Sequence, residues 1–193
     1  LKGGLLPLLQ EIRPTFLFGV PRVWEKIMDG MKAKGANNGF VKKKIIDGAK
    51  SIALKRNVNL ANSGGMSSGF GSKIGLHCLF NKLVYRKVKG VLGLDRCELF
   101  GSGAAPISEN VLSYFWSLDI PIVEGFGMSE TTGISTMCTF PEKVRLGTVG
   151  FGICDNMIKI SEDQEILLKG RHIMMGYLNN EEKTKETFDE EGY

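Results

Sequence analysis

The sequence predicts an α/β protein in which a sheet with parallel strands is flanked by helices and followed by a β-rich segment. The first observation is a short apolar run at Cys97–Phe100, which leads into GSGAAP (101–106) and then an amphipathic helix. GSGAAP is predicted to be a turn of small residues whose backbone another group can approach closely. The second is another apolar run at Ile120–Val123, which leads directly into a second glycine-containing segment. Parallel strands joined by a helix bring the segments that follow them to the same edge of the sheet. Ligands of open α/β sheets bind at that edge.

Composition fits a folded domain with an uneven charge distribution. The 193 residues are 42% hydrophobic and 24% charged, which is typical of globular proteins and sufficient for a buried core. Residues 1–96 hold 18 Lys and Arg against 5 Asp and Glu, whereas residues 97–193 hold 7 against 16. A basic half indicates either a solvated helix face, which is the commoner case, or contact with an anionic membrane or nucleic acid. No apolar run approaches the ~20 residues that span a bilayer.

The four cysteines and two histidines are too scattered to predict a metal centre. No C-x-x-C pair is present, and the residues around the cysteines are apolar or typical of loops. We therefore expect free thiols in a reducing compartment, and packed or surface histidines. The residues concerned are Cys78, Cys97, Cys138, Cys154, His77 and His172.

The chain before residue 36 predicts two helices around one strand. Apolar residues at helical spacing predict a helix over Leu5–Ile12, and the run Thr15–Val20 predicts a short buried strand. Pro21 is suited to the first turn of a second helix, which Gly35 ends. Trp24 lies on the apolar side of that helix and is expected in the core.

Two basic helices are predicted between this strand and the central stretch. They cover Phe40–Arg56 and Ile74–Leu92, and both combine apolar residues at helical spacing with a row of lysines and arginines. The Gly/Ser/Asn-rich stretch Asn57–Lys73 between them predicts a flexible surface loop.

The central stretch contains the residues that suggest chemistry. Pro106 and Ser108 are suited to the start and the cap of the helix that joins the two apolar runs. The sequence EGFGMSETTG (124–133) is predicted to be a loop in which glycines free the backbone around Phe126, whose ring can stack on a base. The residues alone leave two interpretations open, a magnesium–nucleotide loop and an ordinary polar connection.

The magnesium–nucleotide interpretation would use the hydroxyls and the carboxylate of this stretch. Ser129, Thr131 and Thr132 can donate to phosphate oxygens. Glu130 would repel a phosphate unless a cation lies between them, and Mg²⁺ prefers such oxygen ligands.

The C-terminal part predicts short strands and one helix. Gly133–Cys138 is apolar enough for a strand. Met157–Ser161 and Gln164–Lys169 predict a β-hairpin. The strand and the hairpin make up the β-rich C-terminal segment of the predicted fold. The charged helix Glu181–Phe188 then follows the cap residue Asn180.

Four motifs together resemble one enzyme superfamily. EGFGMSETTG resembles the (Y/F)-G-x-(S/T)-E motif of the adenylate-forming enzymes, and GSGAAPIS (101–108) resembles their adenine-contacting segment. VPRVWEKI (20–27) and EILLKGRHIMMGYLNNEEKTKETF (165–188) extend the likeness to the acyl-CoA synthetases. KVKGVLGLDRCELF (87–100) and FWSLDIPIVEG (115–125) are most similar to bubblegum-type long-chain acyl-CoA synthetases. The resemblance runs from end to end, and four motifs in the right order are far more specific than one.

The resemblance implies a fold, a reaction and a set of partners. Residues 1–193 would be the middle part of the large N-terminal AMP-binding domain, a mixed sheet flanked by helices with a β-rich C-terminal segment. The phosphate loop would lie upstream and the small C-terminal domain downstream, so we expect the chain alone to be inactive. The complete protein would convert a long-chain fatty acid, ATP and coenzyme A to acyl-CoA through an acyl-adenylate, with Mg²⁺ as cofactor. Its expected location is the cytoplasm or the periphery of the endoplasmic reticulum and other membranes, with no nucleic acid partner.

The resemblance also assigns residues. Phe126 takes the position of the adenine-stacking aromatic, where Tyr is commoner, and Ser129 that of the phosphate-contacting hydroxyl, where Thr is commoner. Glu130 takes the position of the Mg²⁺ carboxylate, so Ser129 and Glu130 are the catalytic candidates. The nucleotide-binding candidates are Gly101, Ser102, Gly103, Ala104, Glu124, Gly125, Phe126, Gly127, Met128 and Ser129.

Two alternatives remain at this stage. An adenylating enzyme that makes no thioester, such as a luciferase-like oxygenase, would share the central motifs, although VPRVWEKI and GRHIMMGYL (170–178) argue against it. A non-enzymatic basic module for membranes or nucleic acid would instead bind in a strongly salt-dependent way without ATP.

Overall fold

The computed structural model describes residues 4–63, 71–138, 144–153 and 157–193. A five-stranded mixed sheet in the order β1-β2-β3-β4-β5 is followed by a separate two-stranded sheet. The strands are β1 (Phe16–Gly19), β2 (Leu99–Ser102), β3 (Ile122–Met128), β4 (Gly133–Met137), β5 (Phe151–Gly152), β6 (Met157–Ile160) and β7 (Ile166–Lys169). The helices are α1 (Leu5–Ile12), α2 (Pro21–Ala36), α3 (Phe40–Asn62), α4 (Gly71–Phe80), α5 (Arg86–Leu92), α6 (Glu109–Trp116) and α7 (Glu181–Thr187).

The sheet changes from parallel to antiparallel at β3. β1, β2 and β3 are parallel, whereas β4 and β5 add antiparallel strands. α6 connects β2 to β3, which confirms the predicted strand–helix–strand unit. Its first turn is capped by the Ser108 hydroxyl, which accepts from the Val111 amide at 3.4 Å. The helix therefore begins at Glu109, not at Pro106.

One face of the sheet is closed by α2 and α6. Trp24 and Phe115 are fully buried there, in an edge-to-face contact with ring centroids 5.2 Å apart. The Trp24 indole donates to the Gly101 carbonyl at 3.1 Å, and the Trp116 indole donates to the Ile122 carbonyl at 2.8 Å. Each tryptophan thus combines apolar burial with a satisfied N–H, which fixes its helix against one strand.

The predicted loop over Asn57–Lys73 is wrong at both ends. α3 continues to Asn62, and α4 begins at Gly71, while residues 64–70 lie outside the described residues. Asn57 is buried, and its amide donates to the Trp116 carbonyl at 2.9 Å. Asn is common in turns, but a buried acceptor on α6 satisfies it within the helix.

The second basic helix has a π-helical turn at Asn81–Tyr85 between α4 and α5. Tyr85 is fully buried and donates to the Ala49 carbonyl at 2.6 Å, so α3 and the π-helical turn pack tightly. Burial is the main cause that raises the pKa of Tyr85 to about 12. The predicted helix over Ile74–Leu92 is confirmed apart from this change of hydrogen-bond pattern.

Asp119 ties the basic helices to the turn before β3. Its Oδ1 lies 3.2 Å from His77 Nε2 and 3.9 Å from Arg56 Nη1, and its Oδ2 accepts from Lys89 Nζ at 3.2 Å. Asp119 adopts a left-handed backbone conformation, with φ of 62°. The expected role of His77 as a packed residue is confirmed, because this largely buried ring also contacts Tyr85.

The predicted burial of the strand at Thr15–Val20 is wrong. β1 lies at the edge of the described sheet, and Phe16 and Phe18 are 51% and 37% exposed. The predicted strand Cys97–Phe100 is shifted by two residues, because a turn bond from the Cys97 amide to the Leu94 carbonyl delays β2 to Leu99.

The β-hairpin and the α7 cap are confirmed. β6 and β7 pair antiparallel from Met157 opposite Lys169 to Ile160 opposite Ile166. The Asn180 side chain accepts from the Lys183 amide at 3.0 Å and caps α7.

Cysteine and membrane expectations can be compared with the described part of the chain. Cys78, Cys97 and Cys138 are free thiols, as predicted, and burial raises the pKa of Cys97 and of Cys138. Cys154 lies outside the described residues. Within the described ranges, every helix is too short or too polar to cross a bilayer.

Candidate nucleotide site at the β3–β4 turn

The first glycine segment is packed against the chain itself. Gly101 and Ser102 belong to β2, so their predicted place in a turn is wrong. A Cβ on Gly101 would lie 2.6 Å from Phe18 Cδ2, and one on Gly103 would lie 2.6 Å from Phe18 Cζ. The close approach expected from these small residues is therefore made, at Gly101 and Gly103, by a ring from β1. Ala104, exposed and with φ of 68°, is where the segment reaches the surface.

The second glycine segment is mostly strand. Glu124–Met128 forms the second half of β3, so the predicted loop there is wrong. Alternating glycines disfavour a strand by propensity, but pairing with β4 overrides this. The register shifts between Phe126 and Gly127, and a Cβ on Gly127 would lie 1.8 Å from the Gly133 carbonyl oxygen. A β-bulge at this position therefore requires glycine at residue 127. The bulge sets the direction of the turn that follows β3.

The two segments meet at one edge of the sheet, as predicted. Ser102 is paired with Glu124 across β2 and β3, and a Cβ on Gly103 would lie 2.8 Å from the Gly125 carbonyl oxygen. The Ser102 hydroxyl is buried and has no hydrogen-bond partner among the described residues. The nucleotide-binding candidates from both segments are therefore neighbours.

Two of the three hydroxyls that were expected to face phosphate are used inside the fold. Ser129–Thr131 is a 3₁₀ turn, and the buried Thr131 hydroxyl accepts from the Met128 amide at 3.1 Å and lies 2.9 Å from the Gly133 carbonyl oxygen. The Thr132 hydroxyl donates to the His172 carbonyl at 2.6 Å. Ser129 is exposed, and its hydroxyl has no bonded partner in the described part of the chain. Of the three, Ser129 is the one available to a ligand.

Glu130 is a partly buried, ionised carboxylate. Its Oε1 accepts from the Tyr177 hydroxyl at 2.8 Å, and its carbonyl accepts from the Met174 amide at 2.8 Å. A hydrogen bond from its own backbone amide, and then the Tyr177 bond, hold the pKa of Glu130 below its usual value. The carboxylate is therefore charged at neutral pH.

This donor set fits a magnesium ion that is shared with a nucleotide. In the described ranges, no cluster of three or more His, Cys, Asp or Glu is placed to hold a metal. Mg²⁺ bound with substrate phosphates needs only one or two carboxylates, because phosphate oxygens and waters complete its shell. A single ionised Glu130 beside the free Ser129 hydroxyl meets that requirement.

Two residues of β3, Phe126 and Glu124, differ in what their side chains contact. Phe126 is partly buried, opposite Thr136. Glu124 Oε1 accepts from the Gly147 amide at 3.0 Å, and burial is the main cause that raises the pKa of Glu124. Glu124 thus fixes the turn that follows β4, a contact that the sequence did not predict.

Sequence reasoning also missed Tyr177 and Phe18. Tyr177 lies 47 positions after Glu130, so no local pattern relates the two residues. The signal that the sequence offered was the glycine immediately before the tyrosine in GRHIMMGYL. In the structure this residue, Gly176, has φ of 152°. Phe18 was assigned to a buried strand, and nothing in its surroundings predicted contact with Gly101.

A sheet edge that presents an ionised carboxylate and an exposed hydroxyl beside two glycine-containing segments is typical of nucleotide-binding α/β enzymes. The chain belongs to the AMP-binding enzyme family, which matches residues 2–178.

Curated relatives cover the whole chain. It is 43% identical over 198 residues to the long-chain-fatty-acid–CoA ligase ACSBG2 of Xenopus laevis, covering 100% of this chain and 26% of that protein. It is 42% identical over 199 residues to ACSBG2 of Gallus gallus, with 100% and 25% covered, and 38% identical over 198 residues to ACSBG1 of Homo sapiens, with 100% and 26% covered. The chain therefore spans about a quarter of the length of these relatives.

Solved structures show the same fold at low sequence identity. A malonyl-CoA ligase in complex with methylmalonyl-CoA and AMP superposes with a TM-score of 0.57 at 18% identity, over 97% of this chain and 32% of that one. The A-PCP didomain of carboxylic acid reductase from Segniliparus rugosus gives 0.52 at 20% identity, over 98% and 22%. The predicted adenylate-forming fold class, a mixed sheet flanked by helices, is confirmed.

Proposed function

We propose that this chain is part of the large N-terminal domain of a long-chain-fatty-acid–CoA ligase. The observation that carries the proposal is 43% identity over the whole chain to a relative with that name, together with an ionised Glu130 in the matching motif. The boundaries 1–193, as one partial AMP-binding domain, are part of the proposal.

The proposed reaction has two steps. The fatty acid carboxylate attacks the α-phosphorus of ATP, which forms the acyl-adenylate and releases pyrophosphate. The thiol of coenzyme A then attacks the acyl carbonyl, loses its proton, and displaces AMP to give the thioester. A fatty acid is already ionised at neutral pH, so the first step needs no general base. The protein therefore contributes placement of the reactants and stabilisation of charge.

The described residues divide that work. Glu130 would hold Mg²⁺, which when bound neutralises charge on the phosphate oxygens. The Ser129 hydroxyl would donate to a phosphate oxygen, and the Phe126 ring would stack on adenine. Residues 101–104 and 124–128 would form the wall beside the adenine, with Ala104 and Met128 at its exposed margin.

Replacing Glu130 by Gln in the complete protein tests the proposal. Loss of the charge should lower palmitate-dependent ATP–pyrophosphate exchange at limiting Mg²⁺ by tenfold or more, about 1.4 kcal/mol or above. The matched control is Glu162→Gln, an exposed residue in the turn between β6 and β7. Unchanged exchange in Glu130→Gln would contradict the assignment.

The chain alone should make no thioester, because its described site provides only the adenine wall, one hydroxyl and one carboxylate. The check is an incubation of the isolated chain with palmitate, ATP, coenzyme A and Mg²⁺. Sustained acyl-CoA formation above a Glu130→Gln control would overturn this part of the proposal.

The proposed location is cytoplasmic, with peripheral membrane contact through the basic helices. Residues 21–92 hold 15 Lys and Arg against 3 Asp and Glu. At the start of α3, Phe40 and Val41 are 72% and 71% exposed beside three consecutive lysines. Exposed apolar residues with adjacent lysines are suited to anionic bilayers. Co-sedimentation with anionic vesicles should exceed that with neutral vesicles and fall with salt, and equal binding to both would reject the contact.

A further inference from the structure

The segment from His172 to Tyr177 is bonded to the turn that carries Glu130. The Thr132 hydroxyl donates to the His172 carbonyl, the Met174 amide donates to the Glu130 carbonyl, and the Tyr177 hydroxyl donates to Glu130 Oε1, at 2.6, 2.8 and 2.8 Å. Two of these bonds fix backbone to the turn. The third bond is made to the side chain of Glu130, the charged residue of the turn.

Tyr177 is itself held in place by α7. Its amide donates to Thr184 Oγ1 at 2.9 Å, and the same hydroxyl lies 2.8 Å from the Asn180 carbonyl oxygen. Gly176, immediately before it, leaves no room for a side chain, because a Cβ there would lie 2.7 Å from Thr184 Cγ2. The phenol is therefore presented to Glu130 from a backbone that is anchored on the other side.

A glutamate at a partly exposed turn would otherwise sample several rotamers. Ordering such a side chain on binding costs free energy, and a prior hydrogen bond reduces that cost. An ionised carboxylate offers about four acceptor positions, so one bond at Oε1 leaves capacity for a cation. The hydrogen bond from the phenol thus fixes the carboxylate and leaves its other acceptor positions free for a cation.

We propose that Tyr177 is a positioning residue, whose hydroxyl holds the Glu130 carboxylate in the conformation that receives the magnesium ion of Mg·ATP. The proposal rests on the proposed function, since it needs a Mg²⁺-dependent nucleotide site at Glu130. Tyr177 acts through Glu130 and touches neither substrate nor metal.

The test is equilibrium binding of ATP to the complete protein as a function of Mg²⁺, without fatty acid or coenzyme A. Tyr177→Phe should raise the Mg²⁺ concentration for half-maximal binding about tenfold, because a hydrogen bond to a charged group is lost. ATP binding in the presence of EDTA and the melting temperature should stay at the parent's values. Tyr193→Phe is the matched control, because its hydroxyl has no bond to a described residue.

A double variant separates positioning from general structure. Residues that act as a unit are not additive, so Tyr177→Phe should cause no further shift in a Glu130→Gln background. If Tyr177→Phe lowers the melting temperature, the Mg²⁺ requirement for ATP binding is measured in Thr184→Val instead. This second variant removes the acceptor of the Tyr177 amide and leaves the phenol intact. We expect a shift of about threefold in the same direction from it.

The outcomes distinguish the two proposals. A parent protein whose ATP binding does not respond to Mg²⁺ would overturn the proposed function. A responsive parent with an unchanged Mg²⁺ requirement in Tyr177→Phe, or with an additive shift in the double variant, would overturn the role of Tyr177 and leave the proposed function standing.

Discussion

The glycine segments at residues 101–104 and 124–130 include the ends of two neighbouring parallel strands, β2 and β3, yet different atoms fill the space beside their glycines. In the first segment, the ring of Phe18 lies against Gly101 and Gly103. In the second, Gly127 gives room to the backbone of Gly133, and the resulting bulge leads to the turn that presents Ser129 and Glu130. Both sets of glycines are required by contacts within the chain. The candidate chemistry lies in the polar side chains that the second set displays.

The largest expected effect comes from Gly127→Ala. Its Cβ would overlap the Gly133 carbonyl oxygen at 1.8 Å, so β3 and β4 must separate. We expect a loss of unfolding free energy of about 4 kcal/mol or more, read as loss of soluble expression or of a cooperative melt. Gly30→Ala in α2 is the control, because nothing lies within 4 Å of its Cβ and Ala favours a helix. Equal stability of the two variants would contradict the bulge.

A smaller effect is expected at the first segment. Gly101→Ala should cost about 1–3 kcal/mol through overpacking against Phe18. In a Phe18→Ala background the same change should cost much less, because the ring that obstructs the Cβ is gone. Thermal unfolding of the four proteins measures this coupling. Equal costs in both backgrounds would show that Phe18 is not what the glycine accommodates.

The smallest effect concerns Phe126, which we propose stacks on adenine. Phe126→Tyr keeps the ring face and should leave the KM for ATP nearly unchanged. Phe126→Ala should raise that KM by the loss of about 1–2 kcal/mol of stacking and burial. Steady-state kinetics at saturating palmitate and coenzyme A measure both. If Tyr and Ala give the same KM, the ring is structural and the second segment loses its proposed adenine contact.

Much of the fold could be predicted because its signals are local. Apolar periodicity located the helices before α7, and Ser108 and Asn180 were recognised as caps from their own neighbours in sequence. The failures involve distant partners. Asn57 remains helical because of a carbonyl on α6, and Glu124–Met128 is extended because β4 pairs with it. Neither partner leaves a mark in the sequence around the residue.

The site shows the same division. The positions of Ser129 and Glu130 at one sheet edge with residues 101–104 followed from strand order and from the family motif. The use of the Thr131 and Thr132 hydroxyls inside the fold did not, because their acceptors depend on the geometry of the turn and on the segment after β7. The hydrogen bond from Tyr177 to Glu130 was missed for that reason too.

The most direct test of the contrast between the two segments is a crystal structure of the complete protein with Mg²⁺ and ATP. We expect a magnesium ion about 2.1 Å from a Glu130 carboxylate oxygen, the usual Mg²⁺–oxygen distance, with a phosphate oxygen near the Ser129 hydroxyl. We also expect Phe18 still to cover Gly101 and Gly103. Bound ATP whose magnesium ion lies away from Glu130, or a nucleotide that displaces Phe18 from those glycines, would contradict these expectations.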